Sequence, residues 1–413
     1  MVIHHAAAVL PSYTPALNPT TGGSRATLIR AYFNQQYTYK EIVASLANLH
    51  SIILTVRHLK RILKKMGLRR KVPHDNNLLQ TALDAISIEL TGSGKCLGYR
   101  AMWKRLQKAG ICIPKHVVRH ALTILDPDGV KRRKNRKFIK RDYVNPGPNF
   151  MWHSDSYDKL KPYGICINGA IDGYSRRILW LEVGPSNSDP RIIASYYLQT
   201  VRQLQCVPCM LRCDLGTENK HLEKLQPFFT ERYDDPYSGE ASFLYGKSTA
   251  NQRIESWWSI LRRQGADFWI AFFKDMQYVG LFQSHNPIHT QALRLCFMPL
   301  IRKDLNCIAI EWNQHLIETK KNAEGPRGKP DIMYFNPQLY DAYSYGKEIN
   351  LGEVDVLLHD LQLQNIPPQD YDPEFLYLVS QLLPNFQEPR SPNEALELYV
   401  DILACVEDLD NRH

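Results

Sequence analysis

The sequence predicts a mixed α/β domain with a mainly helical region on each side of it. Two observations support this: strand-like and helical patterns alternate over residues 149–273, and helical patterns dominate before and after them. The 413 residues, 44% of them hydrophobic, are enough for two or three domains with their own cores. No apolar run approaches the roughly 20 residues that span a bilayer, so we expect no membrane partner. The opening MVIHHAAAVL lacks the charged start of a secretory signal.

Charge is distributed unevenly along the chain. Residues 1–150 contain 26 Lys and Arg against 7 Asp and Glu, whereas the remainder contains 25 against 35. Residues 351–413 form an acidic tail with thirteen acids and only two basic residues, Arg390 and Arg412. The basic front half predicts a polyanionic partner, with nucleic acid as the first candidate. An ordinary solvated surface is the alternative.

Cysteine usage points to a reducing compartment. The nine cysteines have no framework spacing, which suits the cytosol or the nucleus.

Residues 25–72 predict a helix-turn-helix unit, after a segment at 1–24 that is expected to be disordered. Thr38 and Glu41 have the spacing of a capping box before the first helix. Thr55 is placed to cap a second helix, and Gly67 marks its end. An apolar stripe opposite a basic face favours a helix lying on DNA, with a plain helical hairpin as the alternative. The residues expected to bind nucleic acid on this helix are Arg57, Lys60, Arg61 and Lys64.

A second helix-turn-helix-like unit is predicted within residues 73–130, with its turn at 110–114. Residues 131–148 then begin with KRRKNRKFIKR, in which eight of eleven residues are basic. We expect a basic linker that lies along phosphates, a nuclear-localisation signal, or both. The linker residues expected to bind nucleic acid are Lys131, Arg132, Arg133 and Lys134.

Strand patterns begin at Phe150. From about residue 266 onward, the chain is expected to be mostly helical, and residues 274–413 are expected to form a helical C-terminal region that includes the acidic tail. The elements expected between them are a strand ending at Asp155, a hairpin over 164–184 that turns at 172–175, a helix at 188–205, a strand ending at Asp214, a helix from 219 to about 229, a strand at 241–246 and a helix at 251–263.

Three acids occupy rigid positions in this scheme. Asp155 and Asp214 end two strands, and Glu255 lies on a helix one turn after Asn251. A carboxylate beside a buried strand costs free energy unless a Lys, an Arg or a metal ion lies next to it. Three such carboxylates meeting in space would suit two Mg²⁺ or Mn²⁺ ions for in-line attack at phosphorus. The chain has 42 acids, so spacing alone is a weak signal.

Four motifs in order make the signal specific. They are WHSD at 152–155, IDGYSR at 171–176, RCDLGTEN at 212–219 and NQRIESWW at 251–258. Together they resemble the integrase core of the DDE recombinases, which include retroviral integrases and insertion-sequence transposases. The likeness continues through WNQHLIE and GKPDIMYF, which resemble transposon-derived eukaryotic integrase core domain proteins.

The resemblance implies a ribonuclease H-like fold and a triad at Asp155, Asp214 and Glu255. It also implies Mg²⁺ or Mn²⁺ as cofactor, and 3′-end processing followed by strand transfer. The chain departs from the pattern in two ways. Forty residues separate Asp214 from Glu255, more than in retroviral integrases, and we expect the extra length in a loop near 233–240. The zinc-binding His-His-Cys-Cys module of retroviral integrases does not precede the core.

Other residues close to the triad also have expected roles. Asp172 is expected to shape the hairpin turn, and Glu218 to open a helix, where a negative charge is favoured. Asn251 is expected either to steady the helix of Glu255 or to contact DNA. Arg253 and Arg262 are expected to contact phosphates.

We therefore expect a DNA-binding, metal-dependent polynucleotidyl transferase of transposon origin, acting on element ends and target DNA as a homo-oligomer in the nucleus. One alternative is a domesticated DNA-binding protein in which catalysis is not required. Another is a ribonuclease H-like nuclease that cleaves without joining.

Overall fold

The computed structural model describes residues 24–35, 37–68, 77–111, 113–134, 145–246, 251–318, 326–360 and 371–410. Most of the segment expected to be disordered, 1–23, lies outside these ranges. The helices are α1 Arg25–Asn34, α2 Tyr39–His50, α3 Val56–Lys65, α4 Leu78–Leu90, α5 Tyr99–Lys108, α6 Lys115–Leu125, α7 Pro127–Lys134, α8 Pro190–Leu204, α9 Lys220–Thr230, α10 Gln252–Leu261, α11 Asp267–Tyr278, α12 Pro287–Asn313, α13 Pro330–Phe335, α14 Leu351–Asp360, α15 Pro373–Leu382 and α16 Pro392–Asp410. The strands are β1 Met151–Tyr157, β2 Cys166–Asp172, β3 Ile178–Gly184, β4 Cys206–Val207, β5 Met210–Asp214, β6 Phe243–Gly246 and β7 Lys347–Glu348.

A five-stranded mixed sheet with the order β3-β2-β1-β5-β6 forms the centre of the molecule. The first three strands are antiparallel, whereas β5 and β6 run parallel to β1. The predicted hairpin is confirmed, and so is the role of Asp172 in its turn. The buried carboxylate of Asp172 accepts hydrogen bonds from the Ser175 backbone N–H at 2.7 Å and from the Asn149 backbone N–H at 2.7 Å.

Helices cover both faces of the sheet, which produces the three layers of a ribonuclease H-like α/β fold. Ile167 and Leu181 pack on one face, in a cluster with α10, α11, α12 and α16. Trp152 and Trp180 pack on the other face with α8 and α9. This alternation follows from the strand period of two, because successive side chains point to opposite faces. Among the described residues, none of the helices has the length and apolarity to cross a membrane.

The predicted helices of the first helix-turn-helix unit are present as α2 and α3. Thr38 and Glu41 form the reciprocal capping box, with Glu41 Oε2 accepting from the Thr38 backbone N–H at 2.6 Å. Thr55 caps α3. A further helix, α1, precedes them and was not predicted as a separate element. It supplies Leu28 and Ile29 to the core of this unit.

The second predicted unit is also helical. Helices α4, α5 and α6 share one buried cluster, and the chain turns between α5 and α6 at Gly110, where φ is +81°. Helix α7 continues to Lys134, so the predicted basic linker begins inside a helix rather than as an extended segment. Residues 135–144 of that linker lie outside the described part of the chain.

The loop expected to hold the extra residues before Glu255 lies between α9 and β6. Its residues 231–238 lie between the end of α9 and a 3₁₀ turn at Gly239–Ser242. Asp235 in this loop pairs with the nearly buried Lys347 of β7 at 2.7 Å. The loop is therefore anchored to the C-terminal part of the chain, away from the strand ends that carry the predicted acids.

A buried ion pair attaches the first helix-turn-helix unit to the sheet. Arg177, next to the hairpin turn, contacts Asp331 of α13 at 2.9 Å, and both side chains are almost completely buried. The hydroxyl of Tyr37, from the helix-turn-helix unit, donates to the other oxygen of Asp331 at 3.4 Å. Lys329 pairs with Glu41 at 3.0 Å, and Asn48 donates to Asn336 at 2.7 Å. Residues 329–336 therefore act as a connector between the helix-turn-helix unit and the core.

We predict that Asp331→Asn loosens this connector. The substitution leaves the Arg177 guanidinium buried without its carboxylate, and losing one partner of a buried pair costs about 3–5 kcal/mol. Hydrogen–deuterium exchange should therefore speed up in α2 and in residues 329–336. The control is Asp355→Asn, which breaks the exposed pair with Arg202 and should cost less than about 1 kcal/mol. Equal protection in both variants would show that the buried pair does not hold the connector.

Candidate active site

Asp155 lies inside β1 rather than at its end, as the fifth of seven residues. The prediction that it ends the strand is therefore wrong by two residues, because Ser156 and Tyr157 continue the pairing with β2. The Asp155 side chain is 9% exposed, and its Oδ2 accepts a hydrogen bond from Nε1 of Trp258 at 2.8 Å. Directly opposite Asp155 on β2 lies Gly169.

Asp214 is the last residue of β5, as predicted, on the strand next to β1. Its carboxylate is partly exposed. Asn219, in the turn that leads to α9, donates its side-chain N–H to the backbone carbonyl of Asp214 at 3.2 Å and to Oδ1 at 3.3 Å. Glu218 lies in that same short turn, in agreement with its predicted place at a helix start.

Glu255 lies in the first turn of α10, with its side chain exposed. The apolar face of that helix is buried against the sheet through Ile254, Trp257, Trp258 and Leu261. Glu255 lies outside this buried face, with its side chain exposed to solvent.

Asn251 fastens the start of α10 to β1. It is fully buried, its Nδ2 donates to the Ser154 carbonyl at 2.8 Å, and its Oδ1 lies 2.6 Å from Nδ1 of His153. Because the amide nitrogen faces Ser154, the amide oxygen faces His153, and Nδ1 of His153 must be the donor. Burial above all, together with the charges of Arg212 and Arg253, lowers the pKa of His153 to about 3, against the hydrogen bond with Asn251, which raises it. The imidazole is therefore neutral at physiological pH.

The charges of the predicted triad act on Asp155 and on Glu255. Burial above all, together with the charges of Asp214 and Glu255, raises the pKa of Asp155 to about 7, against the hydrogen bond from Trp258. Partial burial and then Asp214 raise the pKa of Glu255, whereas Lys159 lowers it. These charge effects indicate that β1, β5 and α10 bring the predicted triad into one region.

Within the described residues, no three His, Cys, Asp or Glu side chains lie close enough together to hold a metal ion. The residues nevertheless fit a divalent cation chemically. Carboxylate oxygens are the ligands that Mg²⁺ and Mn²⁺ prefer, and a cation would offset the burial and the neighbouring negative charges that raise the pKa of Asp155.

The structure describes the side chains of some of the residues outside the core that are expected to bind DNA. On α3, Arg57, Lys60, Arg61 and Lys64 are all exposed on one helix, opposite the buried Leu59 and Leu63. Lys131 is exposed on α7. Arg132, Arg133 and Lys134 continue that helix, and their side chains lie outside the described part.

The three residues near the triad that are expected to bind nucleic acid differ in their exposure and in their partners. Arg253 is half-buried, and Arg262 is exposed in an ion pair with Asp267 at 2.6 Å. Asn251 has both ends of its amide engaged inside the protein. The structure therefore favours the steadying role for Asn251 over a contact with DNA.

Sequence reasoning missed two residues of the site. It gave no role in the site to Trp258, which follows Glu255 by three positions and so lies one helical turn away. It also gave no role to His153, which precedes Asp155 by two residues and lies on the same strand.

We predict that Asn251→Ala loosens α10 and exposes its first turn. The change removes two buried hydrogen bonds, each worth about 1–3 kcal/mol when a buried partner is left unsatisfied. Hydrogen exchange of the α10 amides should speed up relative to the wild type. Asn187→Ala is the control, because Asn187 is also buried and its side chain donates to the Ile167 carbonyl of β2 at 3.0 Å rather than to a group next to α10 in the chain. If α10 were equally protected in both variants, the hydrogen bonds of the Asn251 amide would not be what attaches α10 to β1.

Comparison with known proteins agrees with this geometry. Residues 143–336 match the family model of the integrase core domain. The match includes β1, β5 and α10 and continues through α13, past the predicted end of the core at residue 273. A search of curated proteins found no match to the chain. Residues 143–336 are thus an integrase core domain, with the five-stranded mixed sheet of a ribonuclease H-like fold.

Proposed function

We propose that the protein is a DNA-binding, divalent-metal-dependent polynucleotidyl transferase that cuts DNA and joins the resulting ends to another DNA. The observation that carries this proposal is the set of three carboxylates on β1, β5 and α10 of an integrase core domain, in which the charges of Asp214 and Glu255 act on Asp155. A structural role alone does not explain why a fold places three acids in one region, since like charges destabilise it.

Asp155, Asp214 and Glu255 are the proposed ligands of Mg²⁺ or Mn²⁺. When bound, such ions activate a water or a 3′-hydroxyl and stabilise the leaving oxygen during in-line displacement at phosphorus. The protein supplies rigid mounts for this chemistry. Asp155 is held within a paired strand, Asp214 is held at a strand end by Asn219, and Glu255 is carried by a helix that Asn251 fastens to β1.

His153 supports this arrangement as a neutral ring, so it adds no charge next to the acids. Its Nδ1–H donates a hydrogen bond to Oδ1 of Asn251, and burial keeps the ring uncharged. Because it lies beneath the strand surface, we give it a structural role beside the acids and no role in proton transfer.

The proposed DNA contacts use two basic surfaces outside the triad. The exposed cations of α3 form one surface, and the exposed Lys131 of α7, with the basic run that follows it in the sequence, is the other proposed contact. Arg253 and Arg262 are the proposed phosphate contacts next to the triad, because they share the stretch of chain that carries Glu255. Assembly as a homo-oligomer, a location in the nucleus and an origin in a transposon are part of the same proposal.

Two other functions remain candidates. A domesticated DNA-binding protein would keep the basic surfaces and lose the need for the triad, but all three acids are retained here. A ribonuclease H-like nuclease would cleave without joining, and usually uses a fourth acid near the metals. The integrase core match favours strand transfer over both alternatives.

We predict that strand transfer depends on Asp214. Purified protein with Mn²⁺ or Mg²⁺ and labelled DNA carrying candidate element ends should yield joined products. Asp214→Asn should reduce joining by more than about 100-fold, because the ions supply several kcal/mol of transition-state stabilisation and need this ligand. Asp158→Asn is the control, since Asp158 is an exposed neighbour whose carboxylate pairs only with Lys161 among the described residues.

The products distinguish the candidates. Joined DNA that is lost in Asp214→Asn and kept in Asp158→Asn supports the transferase. Cleavage without joining would indicate a nuclease. DNA binding without any chemistry, from folded protein with functional ends, would indicate the domesticated binder.

We also predict that DNA affinity falls steeply with salt. Cations that bind phosphates release counterions, so each neutralised phosphate adds about 0.9 to the slope of log K against log salt. Replacing Lys60, Arg61 and Lys64 with Gln should reduce that slope by roughly 1 for each of these side chains that binds a phosphate. A triple control, Lys274, Lys303 and Arg390 to Gln, removes three exposed cations from the C-terminal half and should leave the slope unchanged. A binding constant that hardly varied with salt would contradict the proposed phosphate binding.

A further inference from the structure

A side-chain hydrogen bond from Trp258 joins the helix of Glu255 to the carboxylate of Asp155. Its indole is only 5% exposed, and Nε1 donates to Asp155 Oδ2 at 2.8 Å. An indole N–H is a donor only, so it cannot replace a carboxylate as a metal ligand. Its effect on a cation would therefore pass through Asp155.

The sheet has room for this indole because position 169 is a glycine. Gly169 pairs with Asp155 across the ladder, and a Cβ at Gly169 would come within 2.9 Å of Cη2 of Trp258. Any larger residue at 169 would push against the indole that binds Asp155. The indole ring of Trp258 thus occupies the space that a side chain at position 169 would need.

Aromatic neighbours fix the plane of the ring. The Trp258 ring lies 5.4 Å from that of Tyr157, on the same strand as Asp155, and 5.3 Å from that of Trp257. Both neighbours are buried. The N–H of Trp258 therefore points at Asp155 from a packed position, whereas χ2 of an aspartate is otherwise a broad torsion.

We propose that Trp258 is a positioning residue that orients the Asp155 carboxylate for a divalent cation, with Gly169 providing its space. The proposal rests on the proposed function of the triad. Hydrogen-bond donors behind metal-binding carboxylates orient them, and replacing such donors typically costs about 10–100-fold in metal affinity. A carboxylate has about four lone-pair sites, so the bond from Trp258 leaves room for a cation on the same group.

The neighbouring Trp257 offers a matched control. It lies on the same helix, is 1% exposed, and its Nε1 is buried without a hydrogen-bond partner among the described residues. Trp257→Phe and Trp258→Phe therefore remove the same atoms from the same core. Only Trp258→Phe removes a hydrogen bond to the triad.

The test is Mn²⁺ binding by isothermal titration calorimetry on the full chain. Trp258→Phe should bind Mn²⁺ about 10–100-fold more weakly than the wild type, whereas Trp257→Phe should bind as the wild type does. In strand-transfer assays, raising the Mn²⁺ concentration should restore activity to Trp258→Phe. A merely structural defect would not respond to the metal.

A second pair of variants protects the test against misfolding of Trp258→Phe. Gly169→Ala keeps the indole and displaces it, so it should also weaken Mn²⁺ binding. Gly184→Ala on β3 is its control, because a Cβ there meets its nearest atom, the Tyr196 hydroxyl, at an ordinary 3.4 Å.

The outcomes separate the two proposals. If wild-type protein binds Mn²⁺ and both tryptophan variants bind it equally well, the role of Trp258 is overturned and the triad stands. Equal binding by Gly169→Ala and Gly184→Ala would overturn that role in the same way. If the wild type does not bind Mn²⁺ at all, the proposed function falls together with the role of Trp258.

Discussion

One buried amide determines where the third acid of the site lies. Asn251 is the residue before α10, and its two hydrogen bonds to His153 and Ser154 attach that helix to the central strand β1. Helix α10 takes no part in the sheet ladder, so packing, this amide and the hydrogen bond from Trp258 to Asp155 fix its position. Asp155 and Asp214 are placed by strand pairing, whereas Glu255 depends on how its helix is attached. The geometry of the triad therefore depends on the attachment through Asn251.

A second constraint relates the proposed DNA-binding surface to the integrase core domain. The buried pair of Arg177 and Asp331 links the hairpin to α13, and Tyr37 and Glu41 link α13 to the first helix-turn-helix unit. The guanidinium of Arg177 also lies over the rings of Tyr334 and Phe335, at 5.0 and 4.8 Å. Stacking and ion pairing together fix the connector in one arrangement. The basic face of α3 is consequently held in one orientation with respect to the sheet.

The sequence was informative where the signal is local. Thr38 and Glu41 stand three apart, and their capping box forms as predicted because all its atoms belong to one helical turn. The strand end at Asp214 is predicted correctly because a β-rich run ends there. The end of β1 is not, since strand pairing with β2, and not the local pattern, decides how far the strand continues.

Long-range partners could not be predicted from the pattern. Asn251 and His153 are 98 positions apart, and Arg177 and Asp331 are 154 apart. Neither pair has a periodicity that relates its members, so only the folded topology brings them together. The same holds for Trp258, whose apolar surroundings could be predicted and whose hydrogen bond to Asp155 could not.

The distance along the chain between the helix-turn-helix unit and its connector has a consequence for biosynthesis. Ile332 belongs to the same buried cluster as Leu28 and Leu46, and the contact between Tyr37 and Asp331 joins residues 294 positions apart. At about 5–20 residues per second, a ribosome needs roughly 15–60 s to make the intervening chain. During that interval the nascent unit presents a bare apolar patch and a cationic helix to the cell. A chaperone that covers the patch would protect the nascent chain from aggregation until the last part of the connector emerges.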